Sequence, residues 1–564
     1  MLMETMPMDL ELACIAQRLN QDCLALIFHE NVLVKDLLCL YDTNWTWPET
    51  RDNSLRYTIE EALLYRGRAL IRLSHVCRRW REVALGMSSL WASLVAQSED
   101  LYPKGGYESI LKQSRDSPLS FVRPDDLLDS YMEIQLVEKL DRYETIMFSN
   151  ESLEWSQFFS GKTAARLRTV VFITESHEDL PQNLLELAPL QIPIATHLAL
   201  DGFYIPFIAP QLTCLVITLR DAYLSSNDLC DILLQTPLLE SLNFIQYNPA
   251  PGGHWPSDDI DRRRISLPHL VLLKVWGSVL DLSSLLLRLD TPKDITIDLT
   301  TYMVQNLDGF TQFVSTLLPY AVNPSYDHLT VCDCHEAAEG IDDPPLFSLR
   351  QGLDGPRKLS IRVNASYEDV VPLYRLAFER LTPGQVRMMS IEQPILDIAS
   401  LFLPDDVNQV FHHDVFNKHV EELRYDTHMT MVGSYEFNNG RRWGNGLIPD
   451  FLLHHPEMYP TLRRITVSGA SRDSPWPLEP QLLGMRAWLD SRAQVGISLD
   501  SLQLEGHVPE TATRSLVGLG DGVPIVDNRQ NIPAAPLRTR KITSSSSSDS
   551  DEFYALFARH NTFM

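Results

Sequence analysis

The chain has 564 residues, 44% of them hydrophobic and 22% charged, and a formal net charge of −26. That is the composition of folded protein, at a length beyond what one compact core usually holds. So acidic a balance argues against general binding to nucleic acid or to an anionic membrane, since both require dense positive charge.

Glu4, Asp9 and Glu11 precede any long apolar run, so no secretory signal is expected, and no run is long enough to span a bilayer. The cysteines are scattered, and Cys14, Cys23, Cys39, Cys77, Cys214 and Cys230 sit in apolar surroundings. This is the pattern of reduced intracellular thiols, not of a disulfide framework. A cytoplasmic or nuclear location is the expectation.

The first element is signalled by Asn20 and Asp22, which can cap a helix, ahead of Leu24, Ile27 and Phe28. A turn-rich stretch, Asn44 to Asn53, follows inside an insert at about 42–66. Then Leu73, Val76, Cys77, Trp80, Val83 and Ala84 recur at helical spacing and define one apolar face, with Arg78, Arg79, Arg81 and Glu82 opposite. Gly86 is the expected stop. Ser88, Ser89, Leu90 and Trp91 open a second short apolar element. Helices this short are marginal alone and need a partner for the apolar face. Arg66, Arg68, Arg72, Arg78, Arg79 and Arg81 form a local basic cluster that could meet an acidic surface or simply be solvated.

Val76, Cys77, Trp80, Arg81, Val83 and Ala84, followed by Leu90 and Trp91, resemble the second half of an F-box, most closely that of the F-box proteins numerous in mushroom-forming fungi. Leu19, Asn20, Asp22, Cys23, Leu24, Ile27 and Phe28 resemble its first half, with Asn20 in place of the usual proline and Asp22 in place of glutamate. The stretch Leu111 to Phe121, containing Ser114, Pro118 and Leu119, resembles the connector that follows the F-box in that family. Read from its residues alone it is a helix end, a Ser/Asp/Pro turn and a strand start.

From there to about residue 506 one theme recurs: a leucine-led stretch, then a short strand of L-x-x-L-x-[LIVF] type. Leu212–Ile217, Leu239–Phe244, Leu270–Val275, Asp294–Leu299, Leu462–Val467 and Leu499–Leu504 carry it. The recurrence of roughly 25–32 residues reaches the upper end of leucine-rich-repeat periods and beyond. The asparagine ladder of such repeats is largely missing. Stacked units would share a core, and alternation within the strands would leave the other side on a concave face. The alternative is an unrelated α/β fold with parallel strands. Residues 248–256, 405–416 (with His412, His413 and Asp414) and 438–444 interrupt the pattern as loops. Ser544 to Ser548 and the acidic residues after them are expected in a disordered tail.

Three motifs suggest chemistry without completing it. Ser160-Gly161-Lys162-Thr163 has the end of a phosphate loop, but Ser156 stands where its first glycine belongs. Cys332, Cys334 and His335 lack a second ligand pair and suit a strand-end turn better than zinc. In His454-His455-Pro456-Glu457 the proline breaks helical spacing. No catalytic residues, cofactor or metal are therefore expected.

The expected architecture is α/β: a helical F-box-like domain at 12–95, a connector at 96–125, an irregular leucine-rich-repeat-like horseshoe at 126–506 and a mostly disordered tail at 507–564. The resemblance implies a substrate receptor of a Skp–cullin–F-box ubiquitin ligase. It would bind the Skp adaptor, and through it the cullin, by residues among Leu19, Leu24, Ile27, Phe28, Val76, Trp80, Leu90 and Trp91. An unidentified target would sit on the repeats. Some of these residues must instead hold the helices together.

Overall fold

The computed structural model describes residues 19–32, 67–97, 106–123, 130–149, 158–173, 187–202, 204–219, 224, 226–246, 264–301, 307–321, 325–333, 345–352, 357–363, 381–392, 418–426, 456–470, 488–509, 523–528 and 530–532. The insert at 42–66, the three interrupting loops, Cys334, His335, His454, His455 and the serine-rich tail lie outside them. The chain forms two compact units, residues 1–423 with 458–462, and residues 424–457 with 463–564.

The first unit begins with helices α1 (Gln21–Val32), α2 (residues 67–74), α3 (Arg78–Gly86), α4 (Ser88–Ala92) and α5 (Gly106–Ser114). A run made mostly of strands follows: β1 (Leu119–Arg123), α6 (Ser130–Glu138), β2 (Tyr143–Ser149), β3 (Thr169–Ile173), β4 (Leu190–Gln191), β5 (His197–Asp201), β6 (Phe207–Ile208) and β7 (Cys214–Leu219). Next come α7 (Ser226–Gln235), β8 (Ser241–Gln246), β9 (Ile265–Ser266), β10 (Leu272–Gly277), α8 (Val279–Arg288), β11 (Leu289–Asp290), β12 (Thr296–Thr301) and α9 (Leu307–Ala321). The series continues with β13 (His328–Asp333), β14 (Pro345–Arg350), β15 (Arg357–Val363), β16 (Met388–Glu392) and β17 (Glu422–Asp426), which spans the junction between the units.

A large, mostly parallel sheet organises this unit. Strands β1, β2, β3, β5, β7, β8, β10 and β12 pair in parallel in that order. Beyond β12 the order changes: β15 pairs with β12, β14 runs antiparallel between β15 and β13, and β16 adds in parallel to β13. Simple sequential stacking is broken here by an inserted hairpin. The register nevertheless holds, because one apolar row crosses the strands of this sheet from β2 to β16: Ile146, Val170, Leu198, Leu215, Leu242, Leu273, Ile297, Leu359, Leu349, Leu329 and Met389. None is more than 1% exposed. A one-residue slip would turn any of these strands inside out, so burial fixes the register.

Each of the repeated motifs forms a strand, starting two residues after the leading residue. Leu212, Leu239 and Leu270 precede their strands and are buried at the turn before each. That turn is prolyl. In Ile192–Ala195, Ala209–Leu212, Thr236–Leu239, Leu267–Leu270, Thr382–Gln385 and Tyr459–Leu462 the second residue is proline, and the fourth N–H donates to the first carbonyl at 2.9–3.2 Å. Proline presets the φ that the second turn position requires. At Thr382–Gln385 the third residue is Gly384 with φ +80°, the left-handed position that glycine fills without strain.

A carbonyl ladder ties successive turns together where asparagines are missing. The Arg168 carbonyl accepts from the N–H groups of Thr196 and His197, that of Thr196 from Thr213 and Cys214, that of Thr213 from Glu240 and Ser241, and that of Glu240 from Val271 and Leu272. The Thr213 hydroxyl adds a bond to the Thr196 carbonyl at 3.0 Å.

The opposite face of the sheet departs from expectation. On β3, β5, β7 and β8 much of it too is buried, through Val171, Ala199, Val216 and Asn243 in one row and Ile173, Asp201 and Ile245 in the next, where Thr218 is half-buried. Small and β-branched side chains on strands about 4.8 Å apart shield one another, so alternation in exposure disappears. It returns on β10 and β12, where Lys274, Trp276 and Asp298 are half-exposed.

Two expected boundaries move. β1 lies within the supposed connector, yet Leu119 and Phe121 are fully buried and the strand pairs with β2, so the sheet starts at residue 119. In the second unit, β18 (Arg464–Ala470) pairs in parallel with β19 (Ser501–Pro509), which runs past residue 507. Strands β20 (Ile525–Asp527) and β21 (Gln530–Ile532) then pair with β19. The chain after 507 is therefore structured in part: β19 offers an open hydrogen-bonding edge, and these short segments fill it. A helix at 488–494 buries Trp488 and Arg492, with the guanidinium 5.0 Å from the indole centroid and Nη1 donating to the Pro456 carbonyl at 3.1 Å.

Candidate protein-binding surfaces

The amino-terminal helices are assembled from local signals. The Asn20 side-chain oxygen accepts from the Cys23 N–H at 2.7 Å, which makes Asn20 the cap of α1. In this phase Leu24 is fully buried, Ile27 is half-buried, and Leu26, on the far side of the helix, is 61% exposed. Leu19 is half-buried, and the side chain of Phe28 is outside the described residues.

The single apolar helix expected from Leu73 to Ala84 is instead two helices with a corner between them. The N–H groups of His75 and Val76 turn back to the carbonyls of Arg72 and Leu73 at 3.0 and 3.2 Å. Ser74 Oγ donates to the Ile71 carbonyl at 2.6 Å. Cys77 is extended at φ −159°, and α3 starts after it. Arg81 Nε closes the corner by donating to the Ser74 carbonyl at 3.2 Å. A serine bonding its own backbone competes with helix continuation, which is why periodicity alone misread this stretch. The break puts Val76 on the corner, 51% exposed, while Trp80 in α3 is buried at 8%. Gly86 ends α3 as expected.

Leu90 and Trp91 on α4 are 2% and 3% exposed. Helix α4 packs on α5 and β1, and Ser88 Oγ lies 2.7 Å from Ser117 Oγ of the turn before β1. The helices and the sheet belong to one compact unit. Of the residues expected to contact an adaptor, Leu24, Trp80, Leu90 and Trp91 are thus interior in this chain: large apolar groups this deep support the fold. Val76, Leu19 and Ile27 keep access. Leu26 was missed, although its offset of two positions from Leu24 puts it on the opposite helical face. Arg68, Arg72, Arg78, Arg79 and Arg81 are exposed, and Arg78 pairs with Glu82 at 2.8 Å on that solvated side.

The second surface is the sheet face from β10 onward. Trp276 stands in register with Ile245 on one side and Thr300 on the other, and Thr300 with Arg362. Lys274 and Asp298 are in-register neighbours in the adjacent row. A half-exposed aromatic residue with charged residues of both signs on the same face has the make-up of a protein-contact patch. Farther along, the same face is polar and buried: Ser360, Ser348, Thr330 and Ser390 share a row, and His328 reaches Ser390 Oγ at 2.7 Å.

Of the suggestive motifs, the phosphate-loop remnant is described in full. The amides of the phosphate-loop remnant are occupied by protein carbonyls: Gly161 N–H by Ala188, Lys162 N–H by Phe159 and Ala164 N–H by Gln191. Cys332 lies at the end of β13. From β1 to β12 the strand order never reverses, so the crevice in which open α/β sheets hold nucleotides does not form there. Among the described residues no group of three or more His, Cys, Asp or Glu is placed to hold a metal, and no helix is long and apolar enough to cross a membrane. Compared with models of known protein families and with curated proteins, the chain matches none.

Proposed function

We propose that the chain is a non-catalytic protein receptor, the substrate-recognition subunit of a Skp–cullin–F-box ubiquitin ligase. The observation that carries this is the helical cluster built on the F-box-like residues, which keeps Leu26 and Val76 exposed at the start of a large parallel sheet. The adaptor would dock on Leu26 and Val76 with Leu19 and Ile27 beside them, while Leu24, Trp80, Leu90 and Trp91 hold the platform. We read the sheet as an irregular leucine-rich-repeat horseshoe, supported by the prolyl turn and carbonyl ladder that recur before β5, β7, β8 and β10. The target would lie on the face around Trp276. Catalysis would reside in partner subunits, and this chain would raise the local concentration of target lysines at the loaded conjugating enzyme.

The test is a titration of the full chain with a Skp-type adaptor, alongside Leu26→Asp and Val76→Asp. Binding that weakens at least about tenfold in both variants, with unchanged folding, supports the reading; a charge buried in an apolar contact costs this much or more. Absence of adaptor binding by the unaltered chain overturns it. The burial of Trp80, Leu90 and Trp91 favours a second reading, a repeat scaffold whose divergent F-box serves only its own fold, and that same result would establish it.

A further inference from the structure

The corner between α2 and α3 carries a charge opposite to that of the chain. Residues 67–82 hold Arg68, Arg72, Arg78, Arg79 and Arg81 against one acid, Glu82, in a protein of formal net charge −26. These arginines are all exposed, and so is His75 in the corner itself. Arg68 and Arg72 are four apart and share one face of α2. Arg81 Nε, bonded to the Ser74 carbonyl at 3.2 Å, pins the first turn of α3 to the end of α2. The cations of two helices are thereby brought to one corner, where Val76 is 51% exposed.

The fold itself gains little from this charge. A helix start favours acids and a helix end favours cations. Helix α1 follows the rule, with Asn20 as its cap and Asp22 in its first turn. Arg72, in the last turn of α2, follows it too. Helix α3 breaks it: Cys77 makes no side-chain cap, no acid lies in the first turn, and Arg78, Arg79 and Arg81 crowd the positive end. The Arg78–Glu82 pair is 91% and 63% exposed and has its cation on the amino-terminal side, the weaker order for residues four apart. Arg68 and Arg72 have no ion-pair partner among the described residues.

We propose that this corner is the electrostatic half of the adaptor-docking face, and that the partner surface opposite it is acidic. The inference rests on the ligase reading, in which Leu26 and Val76 make the apolar contact; α1, which carries Leu26, packs on α3. An acidic partner meets net repulsion from the chain as a whole and attraction at this corner, so the field selects the orientation of encounter. A nucleic acid fits less well, because arginines confined to one corner make no track along a phosphate backbone.

The experiment follows association of the full chain with a Skp-type adaptor by stopped-flow fluorescence at ~20 mM and ~500 mM NaCl, which shortens the screening length from about 20 Å to about 4 Å. The association rate of the unaltered chain falls about tenfold or more across that range. Arg68→Gln with Arg72→Gln lowers the low-salt rate about threefold or more, leaves the dissociation rate within about twofold, and converges with the unaltered chain at high salt. Arg68→Lys with Arg72→Lys keeps the fast rate, since charge is what acts. If the glutamine pair does not fold, Arg79→Gln is measured in its place and slows low-salt association in the same sense. Adaptor binding whose association rate is indifferent to salt and to these variants overturns the inference and leaves the ligase reading standing. No binding at either salt overturns both. Binding of a short DNA duplex or of phosphatidylserine vesicles as tight as that of the adaptor, and lost in the same variants, overturns the assignment of an acidic protein.

Discussion

The indole Nε1 of Trp91 donates to the backbone carbonyl of Ala84 across 2.8 Å, with the ring 3% exposed. Ala84 lies in the last turn of α3, and its carbonyl also accepts from the Met87 N–H at 3.1 Å. The indole bond adds a side-chain tie between α4 and the end of α3.

Trp91→Phe should lose the indole bond at a cost of about 0.5–1.5 kcal/mol, because the Ala84 carbonyl keeps the Met87 N–H as a donor. Trp91→Ala should cost about 3–5 kcal/mol through the cavity it leaves. Urea unfolding measures both. A shift near zero for the alanine variant would mean that the ring is a surface feature after all.

Asn20→Ala removes the cap of α1 and should destabilise that helix by about 1 kcal/mol, while Asn20→Ser or Asn20→Asp should retain most of the stability. Amide exchange at Cys23 and Leu24 reports on it directly. The bond at stake is the 2.7 Å contact with the Cys23 N–H.

Tyr107 and Tyr143 face each other with hydroxyl oxygens 3.2 Å apart, at 2% and 0% exposure. Burial raises both phenols above their ordinary value. Above pH 10 the unfolded chain loses these protons while the folded one keeps them, so stability is full below about pH 10 and falls as pH rises toward the folded values. Tyr143→Phe alone should cost about 1–2 kcal/mol, because Tyr107 loses its partner, and Tyr107→Phe with Tyr143→Phe should cost less than the sum of the singles. The double variant should also lose less stability between pH 9 and pH 11. A denaturation series across that range checks both statements.

Leu242→Ala should cost about 2–5 kcal/mol, since the residue is fully buried in the central strand of the apolar row. Val271→Ala, just before β10 at 60% exposure, should stay within about 0.5 kcal/mol. Equal effects at the two sites would contradict the register.

Much of the fold was legible because its signals are local. The motifs at Leu212, Leu239 and Leu270 became strands, Asn20 became a cap and Gly86 a stop. The turn before these three strands left its own signal, the recurring x-Pro-x-Leu of Ala209–Leu212, Thr236–Leu239 and Leu267–Leu270, which the strand motif by itself did not include. The corner at Ser74–Cys77 was not, because Leu73, Val76 and Trp80 fit one helical face on paper whether or not the backbone turns between them. Nor was the placement of β13 to β15, since pairing partners distant in sequence leave no trace in either segment.

The contact surface divides in the same way. Sequence alone determined that Leu24, Trp80, Leu90 and Trp91 are apolar, helical and in need of a partner, because periodicity and capping act within a few residues. Only the tertiary structure decided that the partner is this chain's own α5 and sheet for Leu90 and Trp91, and that Leu26 and Val76 are the groups left at the surface. Apolar surface is removed from water by whichever neighbour reaches it first, and that neighbour is chosen by three-dimensional packing, not by the spacing of residues along the chain.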